Sequence, residues 1–238
     1  MNRGRAGQEG GVREAEAPTR SDHASGPGAL LGAVYADGAD ERREHVLRWA
    51  DGSASPLHVH RWSAEATTAE LALLARARAP VIDVGCGPGR LVAALSRAGV
   101  TALGIDVLPE AVAVAVARGA SAERRSVFGR VPGAGAWGTA ILLDGNVGIG
   151  GDPVALLRRV HELLDDERGG TVLLETEPEG VGVRSGRCRL ETPTGTSTAF
   201  RWGRVGADGL APLAAATGFA VADAWQAGDR HFAELTTR

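Results

Sequence analysis

The rhythm of apolar and polar positions changes at residue 81. Residues 1–25 carry almost nothing that could be buried, which predicts a disordered tail. An apolar stretch over 27–35 predicts one or two helical turns. Two extended runs, 45–50 and 57–62, flank a turn at Asp51-Gly52-Ser53. Residues 67–79, with Leu71, Leu73 and Leu74, predict a helix stopped by Pro80. From Val81 onward, short apolar runs alternate with helical stretches. Strands are expected at 81–84, 101–107, 124–128, 139–143 and 171–175. The helices between them carry their own punctuation: Gly99 past the first, Pro109 and Gly119 at the ends of the second, and Asp152-Pro153 opening the third.

The end of the chain follows a different pattern. Residues 187–191 and 197–205 look extended, 207–217 helical, and 219–225 and 231–237 form a hairpin around Ala227-Gly228-Asp229. Strands spaced by helices imply a parallel sheet covered on both faces. The expected fold class is therefore α/β: a doubly wound, mostly parallel seven-stranded sheet with an antiparallel C-terminal strand pair, plus an N-terminal helical or extended lid. The expected organisation is a tail at 1–25, a lid at 26–79, and a Rossmann-like domain at 80–238 with an insertion near 180–205.

Composition narrows the function classes. The 238 residues contain 44% hydrophobic positions, enough for a proper core. The net charge of −3 gives no electrostatic reason to expect nucleic acid. No apolar run reaches the length of a membrane span, and the first residues have no secretory apolar region. Two cysteines, Cys86 and Cys188, make neither a disulfide framework nor a zinc site, and point to free thiols in a reducing cytoplasm.

The residues with most chemical content stand where the first strand meets its helix: Asp83-Val84-Gly85-Cys86-Gly87-Pro88-Gly89-Arg90. Ligands bind such sheets beyond the carboxyl ends of the strands. Glycines let the backbone turn sharply and approach a ligand, and the helix N-terminus behind them offers unpaired N–H groups. A dinucleotide fingerprint needs a glycine at the sixth position from Gly85, and that position is Arg90. Asp106, at the end of the second strand, stands where a nucleoside-binding acid is needed.

The form acid-x-Gly-x-Gly-x-Gly, with Asp106 behind it, resembles motif I of the class I S-adenosylmethionine-dependent methyltransferases. The resemblance covers residues 80–178 well and 205–238 loosely. It implies S-adenosylmethionine as cofactor, with Asp83, Gly85, Cys86, Gly87 and Gly89 around its amino-acid part. Asp106 and Val107 are then expected at the ribose, Val127 and Phe128 at the adenine, and Asp144 and Gly145 near the methyl group. Ser126 stands where the family often has an acid for the adenine amino group. Trp62, Asn146 and Trp202 are the expected acceptor-lining residues. A small-molecule acceptor is expected, with no metal, nucleic acid or membrane partner.

His58 and His60 share one face if their segment is a strand. A thiol or amine acceptor needs no dedicated base, whereas a hydroxyl or carbon acid does. His60, Asp144 and Glu175 are the candidates. A nicotinamide-dependent oxidoreductase and a non-catalytic cofactor-binding protein are the alternatives.

Overall fold

The computed structural model describes residues 26–37 and 44–238; the tail expected at 1–25 lies outside the described residues. Strand β3, Val81–Val84, is buried at all four positions and lies inside the large sheet with a parallel neighbour on each side. Its side chains alternate between the two faces. Ile82 and Val84 join a core with Leu142, Leu156 and Leu157, while Val81 joins one with Leu73, Leu91 and Leu173. Asp83 shares the face of Val81.

Helix α4, Arg90–Arg97, follows β3, and β4, Ala102–Asp106, lies parallel beside it. Helix α5, Pro109–Ala117, leads to β5, Ala122–Arg124. Then come β6, Thr139–Leu142, and α6, Pro153–Leu163. The Asp152 side chain caps α6 by accepting from the N–H groups of Val154 and Ala155. Strand β7, Thr171–Thr176, completes the parallel part. Helix α7, Leu210–Ala216, and the hairpin β11, Phe219–Ala227, and β12, Arg230–Thr237, close the domain. The order across the sheet is β11-β12-β7-β6-β3-β4-β5, with β12 antiparallel to both neighbours. This is the doubly wound, mostly parallel seven-stranded sheet read from the sequence.

The additions at the two ends of the chain meet. Strands β1, Val46–Trp49, and β2, Ala54–Pro56, come from the N-terminal region. Strands β8, Val183–Thr192, β9, Gly195–Thr196, and β10, Phe200–Val205, come from the insertion. Together they form one antiparallel sheet, ordered β10-β8-β1-β2 with β9 on β8. Trp49 pairs with Cys188, and Arg48 bonds Glu191 across the strands. Helix α1, Pro27–Asp37, packs between this sheet and α5.

Three local expectations are corrected. Residues 57–62 are not extended: Val59–Ser63 is the short helix α2, started by a turn from the His58 carbonyl to the Arg61 N–H. Its sequence has strand-like residues, but only Val59 is buried, so no alternating face is rewarded. Helix α3, Thr68–Leu74, ends well before Pro80. The third parallel strand ends at Arg124, and 126–129 is a turn in which the Gly129 N–H reaches the Ser126 carbonyl.

Candidate active site

The glycine loop runs from β3 into α4, and its three glycines answer three different demands. A Cβ on Gly85 would lie 2.8 Å from Asn146 Nδ2. A Cβ on Gly89 would lie 2.6 Å from the Ala115 Cβ, so α5 is what requires that glycine. A Cβ on Gly87 would meet only the Tyr35 hydroxyl, at 3.5 Å, because Gly87 faces open space. Asn146 ties the loop down. Its amide nitrogen donates to the carbonyls of Val84 at 2.9 Å and Gly85 at 2.8 Å.

Asp106 closes the other side of the loop. Its Oδ2 accepts from the Gly87 N–H at 3.0 Å and its Oδ1 from the Leu108 N–H at 2.9 Å. Burial raises its pKa, and these N–H groups oppose the rise. Asp83 lies behind the loop, buried, with no hydrogen-bond partner for its Oδ2 among the described residues. Desolvation pushes its carboxyl up to about 7, against the pull of Arg90 and with the help of Asp144, Asp106 and Glu70. The Cys86 thiol is pushed well above its ordinary range by burial, so it is an inert packing group.

Beside the loop lies a buried ionic cluster. Arg90 Nη2 stands 2.5 Å from Glu70 Oε1 and 2.7 Å from Asp144 Oδ2. Arg230 reaches Glu70 Oε1 at 2.6 Å, Asp144 Oδ1 at 3.2 Å and Glu175 Oε2 at 2.7 Å. Glu175 also accepts from the Asp144 backbone N–H at 2.7 Å, which fixes the loop after β6 where Asp144 adopts a φ of 56°. Burial alone would raise the Glu70 pKa, but the two guanidiniums hold it down at about 2. Glu70 also completes a capping box with Thr67 at the start of α3, so helix and cluster share one carboxylate.

These elements border a single cavity of about 800 Å³. That is ample for a cofactor and a small second ligand, since such sites span roughly 300–1,000 Å³. Its floor is Gly85, Cys86, Gly87, Asp106, Val107 and Val127, and Asp144 and Gly145 stand at one end. Its roof is the small sheet with α1 and α2, including Tyr35, Trp49, Trp62 and Trp202. The roof docks through the turn at Asn146–Gly151. A Cβ on Gly148 would strike the Gly203 carbonyl and come within 2.5 Å of Trp202 Nε1, and one on Gly151 would lie 2.6 Å from the Arg201 Cβ. Those glycines admit strand β10.

Most residues expected at the site border the cavity, and four do not. Asp83 and Gly89 lie behind the loop. Phe128 covers Gly150 instead of the cavity, because 126–129 turns away after β5. His60 is carried off by the helical turn of α2, and the imidazole that borders the cavity is His58. The two rings stand 5.9 Å apart, edge to face. Burial lowers the His58 pKa, with Arg61 and His60 adding to the effect. Asp144 and Glu175 border the cavity, but their oxygens already bond guanidiniums. Sequence reasoning missed Glu70, Tyr35, Trp49 and Arg230. Only the Thr67-x-x-Glu70 cap carried a local signal, and it pointed to a helix start.

The solved structures described below that share this fold are methyltransferases. Residues 66–127 match the sequence profile of the methionine biosynthesis protein MetW. A sequence comparison with curated proteins finds no match. Among solved structures, the chain is similar to a SAM-dependent methyltransferase from Bacteroides fragilis in complex with S-adenosylhomocysteine. The identity is 23% over 91% of this chain and 96% of that one, with a TM-score of 0.68. It is also similar to the 1,6-didemethyltoxoflavin-N1-methyltransferase of Burkholderia thailandensis, with bound 1,6-didemethyltoxoflavin and S-adenosylhomocysteine. There the identity is 18%, over 94% of this chain and 93% of that one, and the TM-score is 0.61. The glycopeptide N-methyltransferase MtfA with S-adenosylhomocysteine matches at 14% identity over 74% and 91%, with a TM-score of 0.56. The fold is thus that of the SAM-dependent methyltransferases. Among the described residues, no helix is long and apolar enough to cross a membrane.

Proposed function

We propose that the chain is an S-adenosylmethionine-dependent methyltransferase with a small-molecule acceptor. One observation carries this reading: Asp106 hydrogen-bonds Gly87, so the acid suited to a ribose and the glycine turn form one surface on one cavity. The solved relatives with this fold hold S-adenosylmethionine or S-adenosylhomocysteine, and the donor set here fits the same group. Gly85, Cys86 and Gly87 would underlie the amino-acid part, and the Asp106 carboxylate would accept from the ribose hydroxyls with Val107 beside it. Val127 packs on the adenine, and Asp144 and Gly145 border the methyl end. Asp83 acts from behind the loop, buried beneath its backbone. Gly89 acts on packing.

When bound, S-adenosylmethionine supplies a sulfonium methyl open to in-line attack. The protein's part is to orient the acceptor and keep water out. Helix α1 brings Tyr35 over Gly87, and Trp62 stands against Tyr35 with ring centres 6.1 Å apart. Asp144 and Glu175 hold the two arginines and are poor bases. His58 replaces His60 as the imidazole able to accept an acceptor proton, because it borders the cavity and His60 does not. The cavity's volume of about 800 Å³ and the 1,6-didemethyltoxoflavin bound by a relative with this fold support a small acceptor. The buried free thiols Cys86 and Cys188 suit a cytoplasmic location.

Calorimetry tests the proposal. Tight binding of S-adenosylhomocysteine with no response to NAD is expected. NAD binding with no response to S-adenosylhomocysteine would return the oxidoreductase reading.

A further inference from the structure

The chain is poor in aromatic residues, at 4%, yet three of its five tryptophans border the cavity. The other two, Trp137 and Trp225, pack in the cores on the two faces of the large sheet, which are otherwise mostly Leu, Val, Ile and Ala, and Trp49 and Trp202 also pack in the core of the small sheet. Trp49 and Trp202 come from the small sheet, Trp62 from α2, and Phe200 stands edge-on to Trp202 with ring centres 6.1 Å apart. The aromatic surface is thus concentrated on the roof, opposite the glycine loop.

The charges on this side are all matched. Arg204 forms a two-point pair with Glu177, one bond being 2.7 Å, and its guanidinium lies 5.2 Å from the centre of the Trp49 ring. Arg61 pairs with Asp229 at 3.4 Å. Arg230 is held by Glu70, Asp144 and Glu175. A carboxylate or phosphate ligand would have to break one of these pairs, and an ammonium ligand would compete with an arginine for its carboxylate. Either is costly at the buried Arg230 cluster and at the part-buried Arg204–Glu177 pair, and less so at the exposed Arg61–Asp229 pair. Aromatic walls favour a ligand that can stack or meet them edge to face.

We infer that the roof of the cavity holds a flat, aromatic, uncharged molecule, bound between Trp49, Trp62 and Trp202 as the methyl acceptor. The acceptor role rests on the methyltransferase reading. The binding preference stands on the roof alone.

Three probes of similar size separate the contributions: 2-naphthol (flat and neutral), trans-2-decalol (neutral and saturated) and 2-naphthoate (flat and charged). Calorimetry on the full chain, with and without S-adenosylhomocysteine, is expected to rank 2-naphthol at least tenfold tighter than either of the others. Trp62→Leu is expected to weaken 2-naphthol at least fivefold, and Trp202→Leu serves if that variant does not fold. Glu177→Gln leaves Arg204 without its carboxylate and is expected to strengthen 2-naphthoate at least fivefold. Equal or tighter binding of decalol or naphthoate to the unmodified chain, no binding of 2-naphthol, or indifference to both tryptophan changes overturns the inference. If S-adenosylhomocysteine fails to bind while the naphthol preference holds, the methyltransferase reading falls and the aromatic site stands.

Discussion

Asp83 is held in an unfavourable state by the fold, and replacing it with asparagine makes that state measurable. In the folded protein, burial keeps its carboxyl protonated up to about pH 7. In the unfolded chain the same group titrates near ~3.9. Between those values the folded state binds the proton and the unfolded state does not, so stability falls as pH rises. Below pH ~4 both states are protonated and the group contributes nothing; above pH ~7 the penalty is complete. A shift of about three units corresponds to ~4 kcal/mol, of which ~2–3 kcal/mol accrues between pH 5 and pH 8. Asp83→Asn keeps the shape and cannot ionise. Urea denaturation of both proteins at pH 5 and pH 8 is the assay. The wild type is expected to lose ~2–3 kcal/mol relative to the variant over that interval. A gap that does not change with pH means that Asp83 is ionised throughout, and then its Oδ2 has a partner that the structure does not show.

Other outcomes follow from single contacts. Asp106→Ala is expected to weaken S-adenosylhomocysteine by ~2–3 kcal/mol, the loss of a charged hydrogen-bonding partner, measured by calorimetry; unchanged affinity means the ribose site is elsewhere. Gly89→Ala drives a Cβ into Ala115 at a φ of 75° and is expected to cost about 2–4 kcal/mol in urea denaturation, through α5 and not through ligand contact. Arg230→Met leaves Glu70 and Glu175 each short of a buried cation and is expected to destabilise by ~3–5 kcal/mol; a neutral result would mean the cluster is solvated.

What the sequence revealed was local. The loop was legible because its glycines, its acid and its helix lie within eight residues, and Asp106 because a fixed unit separates it from them. The ionic cluster was not legible, because Glu70, Arg90 and Arg230 come from α3, α4 and the start of β12, and nothing in their neighbours' sequences ties them together. Arg90 counted only as the residue that spoils a dinucleotide fingerprint, although it sits at the cluster's centre. The stretch at 57–62 was misread because Val, His and Trp suit a strand and a burial pattern cannot be seen without the partner surface. The close approach of β10 to the glycines at 148–151 was not legible either, because that strand lies some fifty residues away.

The small sheet has a consequence for how the protein is made. Strands β3 to β7 are consecutive parallel neighbours or near neighbours, so each can dock soon after it leaves the ribosome. Trp49, synthesised early, can bond Ser53 and Ser55 within its own hairpin at once, but its pairing with Cys188 waits for β8. The N-terminal hairpin therefore lacks the β8 side of its sheet through most of translation. Pairings between distant segments are slow to form, and such exposed strands invite association with other chains. The nascent chain would thus finish its ligand-binding floor long before its roof, and a product truncated before residue 183 would carry the first without the second.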